Sequence, residues 1–148
     1  MAVQPRHNIG HSTWTVLHSF PYSIVRNDDR GNTKDYLAKY LLLVDAVFDL
    51  YPCHMCWMDI QQFRVKEHDS LINSLEGLTD SKQIIHKLVM WAFRLHNFVT
   101  RKLHWYDSGV HNKTDHIYLI LEESLDKNII EEEEILSHLD KLYNIVYD

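Results

Sequence analysis

Ser81-Lys82-Gln83-Ile84-Ile85-His86-Lys87-Leu88-Val89-Met90-Trp91-Ala92-Phe93-Arg94-Leu95-His96-Asn97-Phe98-Val99-Thr100-Arg101-Lys102-Leu103 is a long, strongly periodic stretch of this chain. Ile84, Leu88, Trp91, Leu95, Val99 and Leu103 recur at steps of three and four, which lines one face of an α-helix. The same period appears on both sides. Leu37, Tyr40, Leu41, Val44, Val47 and Phe48 form a wide apolar stripe behind Thr33, a competent cap. No run alternates with period 2, so the chain reads as all-α.

Further helices follow from the same reasoning. Ser12 or Thr13 caps a first helix carrying Trp14, Leu17 and His18, which Pro21 kinks or ends. The polar stretch 27–32 is a loop. Pro52 breaks the second helix and suits the first turn of a third, expected over 53–66. A connection over 67–80 turns at Gly77, and the helix quoted above ends at Tyr106-Asp107-Ser108-Gly109. Tyr118, Leu121 and Leu125 then suit one amphipathic segment, and Ile135, Leu139, Leu142 and Val146 another. The run Glu131–Glu134 either favours the last helix's N-terminus through the macrodipole or is a solvated face. The expected architecture is a helical bundle over 1–106 with a helical extension over 107–148, packed on the bundle or lying at an interface.

Composition narrows the function. The 148 residues carry 15 Lys+Arg against 21 Asp+Glu, a formal net charge of -6, with no basic cluster to hold nucleic-acid phosphates. The opening Met1-Ala2-Val3-Gln4-Pro5-Arg6-His7 has no apolar core of a secretory signal. The longest apolar run, Tyr40-Leu41-Leu42-Leu43-Val44, is far too short to span a bilayer. With 2 cysteines there is no disulfide framework, and with 4 Gly and 3 Pro no turn-rich β architecture.

The two cysteines are adjacent, Cys53-His54-Met55-Cys56. At a helix start their sulfurs meet unsatisfied N–H groups and the positive end of the dipole, which favours a thiolate in one of them. The spacing also lets them join in a disulfide that exchanges readily. As a structural brace such a short loop removes little unfolded-chain entropy. As a zinc site it lacks two ligands; His111 and His116 have the spacing of a pair but lie more than 50 residues away. A redox pair is favoured over both. Thioredoxin-like chains need strands, so a helical chain must find its electron acceptor elsewhere, and a bound flavin would serve.

Three segments together resemble the Erv/ALR sulfhydryl oxidases. Gly10-His11-Ser12-Thr13-Trp14-Thr15-Val16-Leu17-His18 is similar to that family's W-x-x-L-H opening, Tyr51-Pro52-Cys53-His54-Met55-Cys56 to its Y-P-C-x-x-C active site, and Leu95–Leu103 to its L-H-N-x-V-N-x-x-L segment. The resemblance implies FAD held in a four-helix bundle with a short fifth helix. It implies cofactor contacts from His11, Ser12, Trp14, His18, Tyr22, Tyr51, Cys56, His96, Asn97, Val99, Thr100, Lys102 and Trp105. Trp91 is read as core, and His54 as solvent-facing.

By the same resemblance Cys53 and Cys56 are catalytic: Cys53 meets the incoming thiol and Cys56 faces the flavin. Electrons pass from a thiol-containing substrate protein or thioredoxin-like relay through FAD to O2, giving hydrogen peroxide. Two departures stand out. Thr100 replaces the motif's second Asn, and His104-Trp105-Tyr106 replaces a common Gly-Lys-Pro, so the phosphates would be gripped by Lys102, Arg101 or a stack on Trp105. Many relatives carry a second, shuttle cysteine pair. Its absence makes the chain similar to minimal versions encoded by large DNA viruses, acting in the host cytoplasm or the virion; the mitochondrial intermembrane space is the alternative. The family also implies a homodimer. The rival reading is a non-catalytic helical scaffold or metal-binding protein using the same pair, with no membrane or nucleic-acid partner in either case.

Overall fold

A computed structural model describes residues 5–26, 33–106 and 113–144, with the backbone alone for 5–11, 25–26, 55, 68–69 and 103–106. The described residues fold into helices α1 (Pro5–Ser19), α2 (Ser23–Arg26), α3 (Thr33–Leu50), α4 (His54–Leu75), α5 (Ser81–Tyr106), α6 (Lys113–Asp126) and α7 (Glu132–Tyr143), with a 3-10 turn at Phe20–Tyr22 and no strand among them. The fold is all-α, as the periodicity implies.

α5 is the central element. Ile84, Leu88, Trp91, Leu95 and Val99 are buried, but so are Val89, Ala92, Phe93, His96, Asn97 and Thr100 from other faces. A helix sheathed nearly all round is a core helix rather than an amphipathic surface one. It is covered by α1, α2 and α4 and also by α6 and α7. α3 contributes Tyr40, Val44 and Phe48 to the core, with Leu37, Leu41 and Val47 packed beside them. The Tyr40 hydroxyl donates to the Leu17 carbonyl at 2.6 Å, tying α3 to α1.

Several boundaries differ from the sequence reading. α1 begins at Pro5 rather than at residue 12 or 13. Proline has no N–H to leave unsatisfied in a first turn, so it opens a helix as well as a capping side chain does. α1 ends where expected, with Pro21 in the 3-10 turn. The loop 27–32 lies outside the described residues.

α4 runs to Leu75, well past the expected end near residue 66. Leu71 is buried and Leu75 packs on the core, so the inward-facing row continues beneath the polar residues that hide it in the sequence. Gly77 makes the turn, at φ +79°. Pro52 stands outside the first turn, because Cys53 is the N-cap residue.

α6 buries Tyr118 and Glu122, and α7 buries Ile135, Leu136 and Leu139. Leu142 is 48% exposed, so it does not extend the stripe; Leu136 takes its place in the core, and Val146 lies outside the described residues. Glu131 is the N-cap of α7 and Glu132–Glu134 its exposed first turn, so the acidic run both faces solvent and sits at the positive end of a helix. No helix among the described residues is long and apolar enough to cross a membrane.

Candidate functional site

The cysteines stand where α4 begins. Cys53 is in extended backbone, φ -82° and ψ 112°, and its Sγ accepts a hydrogen bond from the Cys56 N–H at 3.4 Å. The N-cap sulfur thus occupies the place a Ser or Asp oxygen usually takes. Cys53 is partly exposed, whereas Cys56 is 5% exposed and turned inward. His54 between them faces solvent and stacks on Trp57, ring centroids 6.1 Å apart.

Cys56 forms part of the wall of a small apolar pocket, together with Thr13, Trp14, Tyr51, Ile60, Leu95 and Val99. This pocket draws on α1, α4, α5 and the end of α3, so all three motif segments reach it. Tyr51 hydrogen-bonds the Thr13 side chain, and burial, then the Cys56 and Cys53 sulfurs, push its phenol up to about 12. Its volume is about 10 Å³, room for roughly one water.

Beside the pocket lies a buried cluster of rings. Trp14 stacks on His96 at 4.2 Å and 10°. His96 Nδ1 and His18 Nε2 are 2.8 Å apart. His18 is fully buried and stacks on Tyr143 of α7 at 4.6 Å, with Tyr118 of α6 edge-on at 5.8 Å. Burial, reinforced by His96, holds the His18 imidazole well below its ordinary range, so the ring is neutral. His96 Nε2 lies 3.0 Å from the Asp115 carboxylate on α6. The Asn97 side-chain amide donates to the Tyr118 carbonyl at 3.1 Å. Two buried polar atoms in this cluster have no partner, His18 Nδ1 and Asn97 Oδ1.

Most sequence-derived candidates therefore converge. Trp14, Tyr51, Cys56 and Val99 meet at the pocket, and His18, His96 and Asn97 form the ring cluster next to it. Both ring nitrogens of His96 are taken by protein groups, and one of its faces is covered by Trp14. Thr100 is buried on α5. Lys102 is half-buried over the Phe98 ring at 5.5 Å. Tyr22 is engaged elsewhere, donating to Asp140 of α7 at 2.6 Å. Ser12 is exposed. The side chains of His11 and Trp105 lie outside the described residues, as does His111. Trp91 is core, between Phe48 and Phe63.

The sequence did not place Asp115, Tyr118 or Tyr143 against the two histidines, nor mark Asp59 as buried. Asp59 is 4% exposed with an unpartnered Oδ2; burial raises its carboxyl, and Lys102 opposes the rise. It sits three residues beyond Cys56, the one signal that pointed to it. Among the described residues, no three His, Cys, Asp or Glu side chains are grouped to hold a metal ion.

A family model described as the Erv1 / Alr family matches residues 11–117, from within the first motif segment into α6. No curated protein and no solved structure matches the chain.

Proposed function

The chain belongs to the Erv1 / Alr family, and on that ground we propose that it is an FAD-linked thiol oxidase that makes disulfides in a separate protein. The observation that carries this reading is the convergence of the three motif segments on one pocket with the Cys56 side chain in its wall. By chemistry the residues fit a flavin: stacked aromatic rings, a sulfur at the pocket, and two buried polar atoms awaiting partners. Trp14, Tyr51 and Val99 would hold it at the pocket, His18, His96 and Asn97 from the ring cluster, and Lys102 at its phosphates. When bound, FAD supplies the two-electron acceptor and the passage of electrons to O2 with release of hydrogen peroxide.

The chain's own residues divide the thiol chemistry by exposure. With the pair oxidised, a substrate thiolate attacks Sγ of the accessible Cys53; the Cys53–Cys56 bond breaks and Cys56 departs as a thiolate. The helix start favours that charge. The substrate's second thiol, losing its proton to solvent, then attacks the substrate sulfur of the mixed disulfide; the bond to Cys53 breaks and Cys53 departs as a thiolate. The products are a substrate disulfide and a reduced pair, so two electrons have moved from substrate to protein. The substrate dithiol lies outside these 148 residues, whose only 2 cysteines are the pair itself. A homodimer belongs to the same reading, and sedimentation equilibrium checks it.

The test begins with the visible spectrum of the purified protein. Bands near about 375 and 450 nm with FAD released on unfolding are expected, together with peroxide production from a model dithiol. C53S and C56S should each fall to the uncatalysed rate while C53S keeps its bound flavin. A colourless protein that cannot be loaded with FAD overturns the cofactor; a yellow one without turnover overturns the oxidase.

A further inference from the structure

The rings of Trp14, His96 and His18 form a stacked and hydrogen-bonded row that reaches, at Trp14, the pocket Cys56 lines. Its outermost anchor is Asp115 on α6, a residue belonging to none of the three motifs. The Asp115 carboxylate can only accept, so at 3.0 Å it draws the proton of a neutral His96 onto Nε2. His96 Nδ1 is then a bare acceptor, and the contact at 2.8 Å requires His18 to donate from its own Nε2. His18 Nδ1 is left as a lone pair, buried and without a partner.

We propose that Asp115 is a positioning residue for the cofactor wall: through His96 it sets the tautomers of both histidines, holds the His96 ring flat against Trp14, and presents His18 Nδ1 as an acceptor for a donor group of the bound flavin dinucleotide. The proposal rests on the flavin reading above. It places one determinant of cofactor binding on α6, beyond the cysteine turn and the two histidine segments. Such outer partners commonly fix ring orientation and proton placement for the groups they support.

Two readouts test it on the full-length protein. Long-range 1H–15N spectra of the histidine rings, with His96 and His18 assigned from H96Q and H18Q, report the tautomers directly. Both rings should carry the proton on Nε2 in the parent. D115A should give His96 a mixed tautomer and weaken FAD binding about tenfold, the fold-change expected when a buried donor loses its acceptor. D115N keeps an accepting oxygen at the same place, so it should retain the parent tautomers and bind FAD within about threefold of the parent.

Loss of helix anchoring alone would lower stability without moving the ring signals. An Nδ1–H or doubly protonated His96 in the parent overturns the proposal. So does a D115A protein with unchanged ring signals and unchanged FAD affinity. Where D115A does not fold, the parent spectrum and D115N decide. A parent that binds no FAD overturns the flavin reading instead, and the tautomer spectra still decide the role of Asp115.

Discussion

His18 shows how burial turns one side chain into a pH sensor for the whole fold. Facing it are Trp14, His96, Tyr118 and Tyr143, none offering a negative charge in ring contact. Its folded value lies well below the ordinary 6.5. Below about pH 6.5 the unfolded chain therefore binds a proton that the folded chain refuses, and stability falls as pH falls. The expected loss is about 1.4 kcal/mol for each pH unit, down to the folded value. Urea titrations at pH 7.5 and 5.5 check this, with H18Q expected to show a shallower drop by about one proton's worth. Equal drops in the two proteins would mean that folding leaves the protonation of His18 unchanged over this range. That His18 belongs with His96 was readable from the motifs. That its face rests on Tyr143, 125 residues along the chain, was not, because no local pattern encodes a contact made by the last helix.

α6 is held on α5 by a carboxylate that the sequence offers as one more acid among 21. Glu122 is 4% exposed, accepts from Arg94 at 3.0 Å and pairs with Arg101, while Asp126 takes the other face of Arg94 at 3.2 Å. Removing one partner of a fully buried pair costs about 3–5 kcal/mol, chiefly by stranding a charge. Here the two arginine side chains are 40% and 49% exposed, so water recovers them. E122Q should therefore cost only about 1–2 kcal/mol in urea unfolding at pH 7. The end of α4 makes a second case. Gly77 sits at φ +79° with nothing within 4 Å of where a Cβ would stand, so G77A meets backbone strain without a clash. About 1 kcal/mol is expected. Gly77 as a turn was visible in the sequence; the helical turns just before it were not, since Glu67, His68, Asp69 and Ser70 interrupt the apolar row that Leu71 resumes.

The chain's tertiary logic lies in how the last two helices close what the first five begin. α7 packs on both α1 and α5, bringing Tyr143 onto His18 and Asp140 onto Tyr22. Periodicity identified these segments as amphipathic and favoured packing on the bundle, but a stripe of four apolar residues also fits a dimer interface, a cover for the cofactor or a partner. Burial of Ile135 and Leu139 to 0% against the bundle makes the packing internal. The consequence is energetic coupling between α7 and the site. L139A opens a cavity in a core shared with α1, at a cost of about 2–5 kcal/mol. All 4 tryptophans lie at or before residue 105, so their fluorescence reports the bundle without α6 and α7. In one cooperative unit, L139A should lower the urea midpoint seen by tryptophan fluorescence and by far-UV circular dichroism equally, at unchanged slope. A fluorescence midpoint that stays at the parent value while the dichroism midpoint falls would show that α7 unfolds by itself. The tail and the ring cluster would then not be energetically coupled, whatever the cysteines do.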